Sequence, residues 1–179
     1  MIVLGVDPGT AITGYGGVVR GGGGAVSLRE CGVVRTASRA PLPERLRDIY
    51  EGICEVISRN RPDVVAVEGV FYGKNARTAV VLGHARGAIL LAAALQQLEV
   101  IEYPPAEIKS AVVGNGRATK DQVGFMVSRL LSLREAPRPS DAADGVAVAL
   151  CHCFRGFGPK PVPAMRFSLE LLQKQRRRA

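Results

Sequence analysis

Hydrophobic positions in this chain follow two patterns. Two short runs, Ile2-Val3-Leu4-Gly5-Val6 and Val64-Val65-Ala66-Val67, carry no polar residue at any position. That is the pattern of strands covered on both faces, as in the middle of an α/β sheet. Each run ends in a carboxylate, Asp7 before Pro8-Gly9-Thr10 and Glu68 before Gly69. Between the runs, residues 13–20 and 25–36 read as the two strands of a β-hairpin around a tip of four glycines. Pro43 then opens a helix with Leu46, Ile49, Tyr50, Ile53 and Ile57 on one face, closed by Arg61-Pro62.

The second half is mainly helical. Residues 75–98 form a long helix whose stretch 88–95 is apolar all round, so its whole circumference is expected to be buried. Gly83 and Gly87, four apart, would allow a close backbone approach. A short strand at 100–103 and a helix carrying Lys109 follow. After Gly114-Asn115-Gly116, Thr119 and Gln122 form a capping box for a helix with Val123, Met126, Val127, Leu130 and Leu131 on its apolar face. A last helix begins near Ser140. Residues 156–163 read as a linker to a tail ending in Lys174 and Arg176 to Arg178. The division expected is a domain over 1–156 and a basic C-terminal tail over 157–179.

Charge narrows the partners. The 179 residues carry a formal charge of +8, an excess that favours a polyanion, nucleic acid ahead of an anionic membrane surface. The run 88–95 is shorter than the roughly 20 apolar residues a bilayer requires, and no secretory signal is read, so a cytoplasmic protein is expected. Cys31 and Cys54 lie in separate elements, and Cys151-His152-Cys153 lacks the gap of a zinc knuckle; buried reduced thiols are expected. His84 and His152 share no ligand spacing and are read as structural.

The candidate chemistry is carboxylate. Asp7 would serve as a turn-starting residue as readily as a ligand, but two covered strands ending in acids are harder to ascribe to turn preference. If those strands are parallel neighbours, Asp7 and Glu68 leave the same sheet edge, where ligands of open α/β sheets are placed. Asp141 and Asp144, three apart in the first turn of an otherwise apolar helix, share a face and gain from the helix dipole. The four acids form an all-oxygen set suited to Mg²⁺ or Mn²⁺. Two such ions would activate a water and stabilise the departing oxygen in phosphodiester hydrolysis.

Several motifs in order carry a resemblance: Gly5, Asp7, Pro8 and Gly9; Thr13 to Gly16; Glu68 to Phe71 with Lys74; Leu82-Gly83-His84 with Arg86-Gly87; Val112 to Gly114; and Asp141 with Asp144. Over about residues 1–153 they resemble the ribonuclease H-like superfamily, and more narrowly the RuvC family of bacterial Holliday-junction resolvases. The resemblance implies an α/β fold, a mixed five-stranded sheet flanked by helices. It also implies a homodimer making paired symmetric nicks in a four-way DNA junction during recombination and repair, and possible recruitment by a branch-migration motor complex. In the family the acids matching Asp7, Glu68, Asp141 and Asp144 bind the metals, and Mg²⁺, with Mn²⁺ as substitute and two ions per site, is expected here. Lys109 and Lys120 match family lysines near the scissile phosphate. Phe71 and Tyr72, in a loop directly after Glu68, are expected to stack on or wedge between bases, with Lys74 and Arg77 as further DNA contacts. Gly69 stands where many relatives carry glutamine.

Two other classes compete. Asp7-Pro8-Gly9-Thr10 also resembles the first phosphate motif of actin-like ATPases and sugar kinases, which need two related halves. A noncatalytic nucleic-acid module would keep the basic surface but has no use for four convergent acids.

Overall fold

The computed structural model describes residues 1–69 and 76–155, with Ala76 and Arg77 described by their backbone alone. Five strands form one mixed sheet: β1 (Ile2–Asp7), β2 (Ile12–Arg20), β3 (Val26–Arg35), β4 (Val64–Glu68) and β5 (Glu99–Tyr103). Their spatial order is β3-β2-β1-β4-β5, so the fully apolar β1 lies at the centre. It pairs antiparallel with β2 and parallel with β4, and β4 is parallel to β5. The hairpin expected from the sequence is present, its tip a single 3-10 turn over Gly22–Gly24.

Five helices cover the sheet: α1 (Leu42–Asn60), α2 (Ala76–Leu95), α3 (Pro105–Val113), α4 (Lys120–Leu130) and α5 (Ser140–Arg155). Strand periodicity sorts the core into two halves. Leu4, Val6, Val65 and Val67 pack with α1 and α2, while Val3, Val64 and Ala66 pack with α3, α4 and α5. Continuing that alternation by one step places Asp7 and Glu68 on the α5 side. The parallel register, Gly5 opposite Ala66 and Val6 opposite Val67, brings the two strand ends level.

The seat of α5 is made of glycine. Gly5 and Gly16 face each other in the β1–β2 ladder, and Gly14 lies opposite Asp7. A Cβ on Gly14 would fall 1.8 Å from the Asp141 carbonyl oxygen, and one on Gly5 would fall 2.3 Å from the Ala149 nitrogen. From the helix side, a Cβ on Gly145 would meet the Tyr15 backbone at 2.5 Å. With Ala142, Ala143, Ala147 and Ala149 also buried, α5 lies nearly backbone to backbone on the sheet.

Several expectations are corrected. The long helix ends at Leu95, where Gln97 takes a left-handed conformation (φ 58°), not at 98. Its circumference is not buried within the chain: Ile89, Ala92 and Ala93 are inaccessible, but Val80, Leu91 and Leu95 are 52–59% exposed, because one sheet face and α1 cover only one side. Nothing among the described residues lies within 4 Å of a Cβ at Gly83 or Gly87, so neither serves a close approach to them. The window Thr78–Leu95, with mean hydropathy 1.6, is long and apolar enough to cross a membrane by length and composition, which the shorter run 88–95 did not indicate. In the fold it packs on α1 and β5, and Arg86 forms a two-point ion pair with Glu102 on β5. Cys151 and Cys153 are buried free thiols, whereas Cys31 and Cys54 are only half-buried. His152 is buried and paired with Tyr103, as a structural histidine would be, but His84 is exposed.

Candidate active site

Asp7 ends the central strand, and the loop after it is pinned by a buried threonine. The Thr13 hydroxyl donates to the Gly9 carbonyl at 2.7 Å and lies 3.4 Å from the Gly9 nitrogen, which donates back. Thr36 and Arg45 both donate to the Thr10 carbonyl, tying the loop to β3 and α1. Glu68 ends β4, and the next residue, Gly69, donates its N–H to the Tyr103 carbonyl of β5 at 2.9 Å. The Tyr103 hydroxyl in turn meets His152 Nδ1 on α5 at 2.9 Å, a buried link between that edge and the helix bearing the other acids. Burial holds His152 below the usual histidine range.

The glycine seat places the first turn of α5 directly over the end of β1. As a result, oxygens of Asp7, Asp141 and Asp144 all lie within 4.8 Å of one another, each side chain half-buried. Glu68 lies outside that trio, at the end of the neighbouring strand, and interacts electrostatically with Asp7. Burial, then the charge of Asp144, raises Asp7 to about 6. Burial, then Asp7, raises Glu68 to about 8. Carboxylates crowded in this way suit a cation, and the trio offers only oxygen ligands. It fits a hard divalent ion held by Asp7, Asp141 and Asp144 with Glu68 beside them.

These acids open onto a cleft of about 280 Å³ lined by Asp7, Glu68, Lys109, Lys120 and Asp144, with Pro105, Ile108, Val123 and Ala147 as its apolar wall. Lys109 comes from α3. Lys120 is the first residue of α4, where the Thr119–Gln122 capping box forms in both directions. Its ammonium donates to Asp144 Oδ2 at 2.7 Å, and that bond raises it further above its usual range. The structure thus brings together six of the ten candidate residues. Phe71, Tyr72 and Lys74 lie outside the described residues, and Arg77 falls in the first turn of α2 with its side chain likewise outside them. Sequence reasoning missed the seat residues Gly14, Gly16 and Gly145. Their signal was the glycine-rich second strand paired with an alanine-rich helix, a combination that marks close packing.

Comparisons with known proteins agree with this geometry. The family model described as "Crossover junction endodeoxyribonuclease RuvC" matches residues 3–152. The protein of that name from Pelotomaculum thermopropionicum is 51% identical over 152 residues, covering 85% of this chain and 92% of the relative. Among solved structures, T. thermophilus RuvC in complex with Holliday junction substrate superposes with a TM-score of 0.83 at 40% identity, covering 90% of this chain and 99% of that one. The yeast mitochondrial Holliday junction resolvase Ydc2, at 13% identity and a TM-score of 0.58 over 84% of this chain and 78% of its own, shares the fold. With half of the aligned residues identical to such relatives and the family pattern matched from the first strand to the last helix, the chain belongs to the RuvC family of crossover junction endodeoxyribonucleases.

Proposed function

We propose that the cleft at the ends of β1 and β4 hydrolyses DNA phosphodiesters at four-way junctions, resolving them in recombination and repair. The observation that carries this reading is the trio of carboxylates within 4.8 Å, supplied by the central strand and α5 in a chain of this family. Asp7, Glu68, Asp141 and Asp144 would hold Mg²⁺, or Mn²⁺ in its place, as two ions. Bound there, the metal would supply an activated water and stabilise the departing oxygen. Around that chemistry, Lys109 and Lys120 face the cleft and meet the phosphate. The apolar wall of Ile108, Val123 and Ala147 limits water on one side. Phe71 and Tyr72 hold an unstacked base at the junction centre, and Lys74 and Arg77 contact the backbone. Because base stacking is worth roughly 1–3 kcal/mol, Phe71 bears more on which phosphate enters the cleft than on total affinity.

Paired nicks require two cleft copies. The exposed apolar side of α2, with Val80, Leu91 and Leu95 and the open Gly83 and Gly87, suits a second copy of the chain. An isologous contact of that kind places two active sites symmetrically about a junction. The protein acts in the cytoplasm, where a branch-migration motor would deliver junctions to it. Residues 1–156 are assigned to the nuclease domain and 157–179 to a basic C-terminal tail.

The test is incubation of a labelled mobile four-way junction with the protein, with and without Mg²⁺ or Mn²⁺. Symmetric, ligatable nicks that need the metal are expected. Binding without any metal-dependent nicking would favour the noncatalytic module instead.

A further inference from the structure

Two lysines line the cleft, and they are held differently. Lys120 donates to Asp144 at 2.7 Å, whereas Lys109 forms no ion pair among the described residues. Asp144 is only 16% exposed and belongs to the trio suited to a metal ion, so the Lys120 ammonium occupies a ligand that a divalent cation would need. The lysine side chain itself is 67% exposed. Its backbone is fixed by the capping box, but its flexible four-carbon stem can carry the charge away from Asp144 without moving the helix.

We propose that Lys120 is an exchangeable internal cation. It neutralises Asp144 while the acids hold no metal, gives way when a divalent ion takes that carboxylate, and is then released toward the phosphate of the DNA. The inference rests on the metal-binding reading above and goes beyond it by making Lys120 a competitor of the metal as well as a DNA contact. No bond is made or broken in the exchange. Coupling follows from it: DNA phosphate that draws Lys120 away uncovers Asp144 and strengthens metal binding, and metal bound at Asp144 strengthens the lysine's contact with DNA by the same factor.

The experiment is a Mn²⁺ titration followed by the electron paramagnetic resonance signal of the free ion, without DNA. It compares the wild-type protein with Lys120→Met, Lys120→Gln and Lys109→Met. Exchange predicts that both Lys120 variants bind Mn²⁺ roughly two- to five-fold tighter than wild type, the scale of losing an exposed ion pair. Lys109→Met should change affinity less, since it removes a cleft charge but no occupant of Asp144. A role in phosphate contact alone would lower cleavage and leave Mn²⁺ affinity unmoved. Lys120 variants that bind Mn²⁺ no tighter than wild type, or a Lys109→Met protein that tightens as much, overturn the exchange. Wild type that binds no Mn²⁺ would overturn the metal reading itself, and the two failures are thereby told apart.

Discussion

Asp7 and Glu68 share one difficulty, two carboxylates withdrawn from water at the end of adjacent strands. Their ordinary values of 3.8 and 4.5 rise to about 6 and about 8 on folding. Between pH 4 and 8 the folded chain therefore holds protons that the unfolded chain has lost, and stability falls as pH rises through that window. Below it both states are protonated, and above it the full cost of two ionised acids is present. Metal-free protein should show a thermal midpoint that declines from pH 5 to pH 8, with a flatter profile in Glu68→Gln; calorimetry across that range checks it, and a Glu68→Gln profile as steep as wild type would refute the raised Glu68 carboxyl. A divalent ion favours the ionised carboxylates, so its stabilising effect should be larger at pH 8 than at pH 6. On the proposed roles, Asp7→Asn, Glu68→Gln, Asp141→Asn and Asp144→Asn each lower the junction cleavage rate by on the order of 10²-fold or more. Junction binding, which rests on phosphate contacts, should survive in a gel-shift assay. Near-normal nicking at saturating Mg²⁺ by any one of them would remove that residue from the set.

At the scale of elements, the site depends on how closely α5 approaches β1 and β2. Because a Cβ on Gly14 would sit 1.8 Å from the Asp141 carbonyl oxygen, Gly14→Ala must lift the first turn of α5 or shift β2. Such overpacking costs about 1–3 kcal/mol. The displaced group is the backbone of a candidate ligand, so Mn²⁺ affinity should fall together with the thermal midpoint. Gly22→Ala is the natural comparison, since nothing lies within 4 Å of its added methyl, and it should leave both quantities near wild type. If Gly14→Ala destabilised the fold yet kept full Mn²⁺ affinity, the seat would matter for packing alone.

For the whole molecule, the uncovered side of α2 and the charge of +8 carry the remaining expectations. Leu91 is 52% exposed, so a charged replacement there costs the folded monomer little but disrupts an apolar contact between copies. Leu91→Glu should sediment as a monomer with unchanged circular dichroism, while wild type sediments as a dimer at micromolar concentration. Wild-type protein that stays monomeric with and without junction DNA would end the twofold explanation of paired nicks. Junction affinity should also drop steeply with salt, through counterions released by the basic groups. Preference for the four-way form over linear duplex of equal length should persist, because geometry and not charge sets it. Equal binding of the two forms at every salt concentration would count against junction selectivity.

Much of this was legible in the residues by themselves. The double-faced apolar runs of β1 and β4, the amphipathic period of α1 and the Thr119–Gln122 capping box are local signals, set by which neighbours three, four or two positions away are apolar. Each reappears at its expected place. The parity of a strand extends that legibility to function, since counting by twos from Val3 reaches Asp7 and from Val64 reaches Glu68. Other properties had to wait for the fold because they join residues far apart in sequence. The bare patch of Gly5, Gly14 and Gly16 acquires meaning only once the strand register faces it toward Gly145 and Asp141. The partnership of Lys120 with Asp144 spans 24 positions and two helices. The exposed side of α2 is of the same kind: composition made residues 88–95 apolar all round, but how much of the helix the sheet and α1 could cover was a question of shape. Sequence determined which surfaces avoid water, and tertiary structure decided which of them found cover, because burial depends on what the rest of the chain brings alongside.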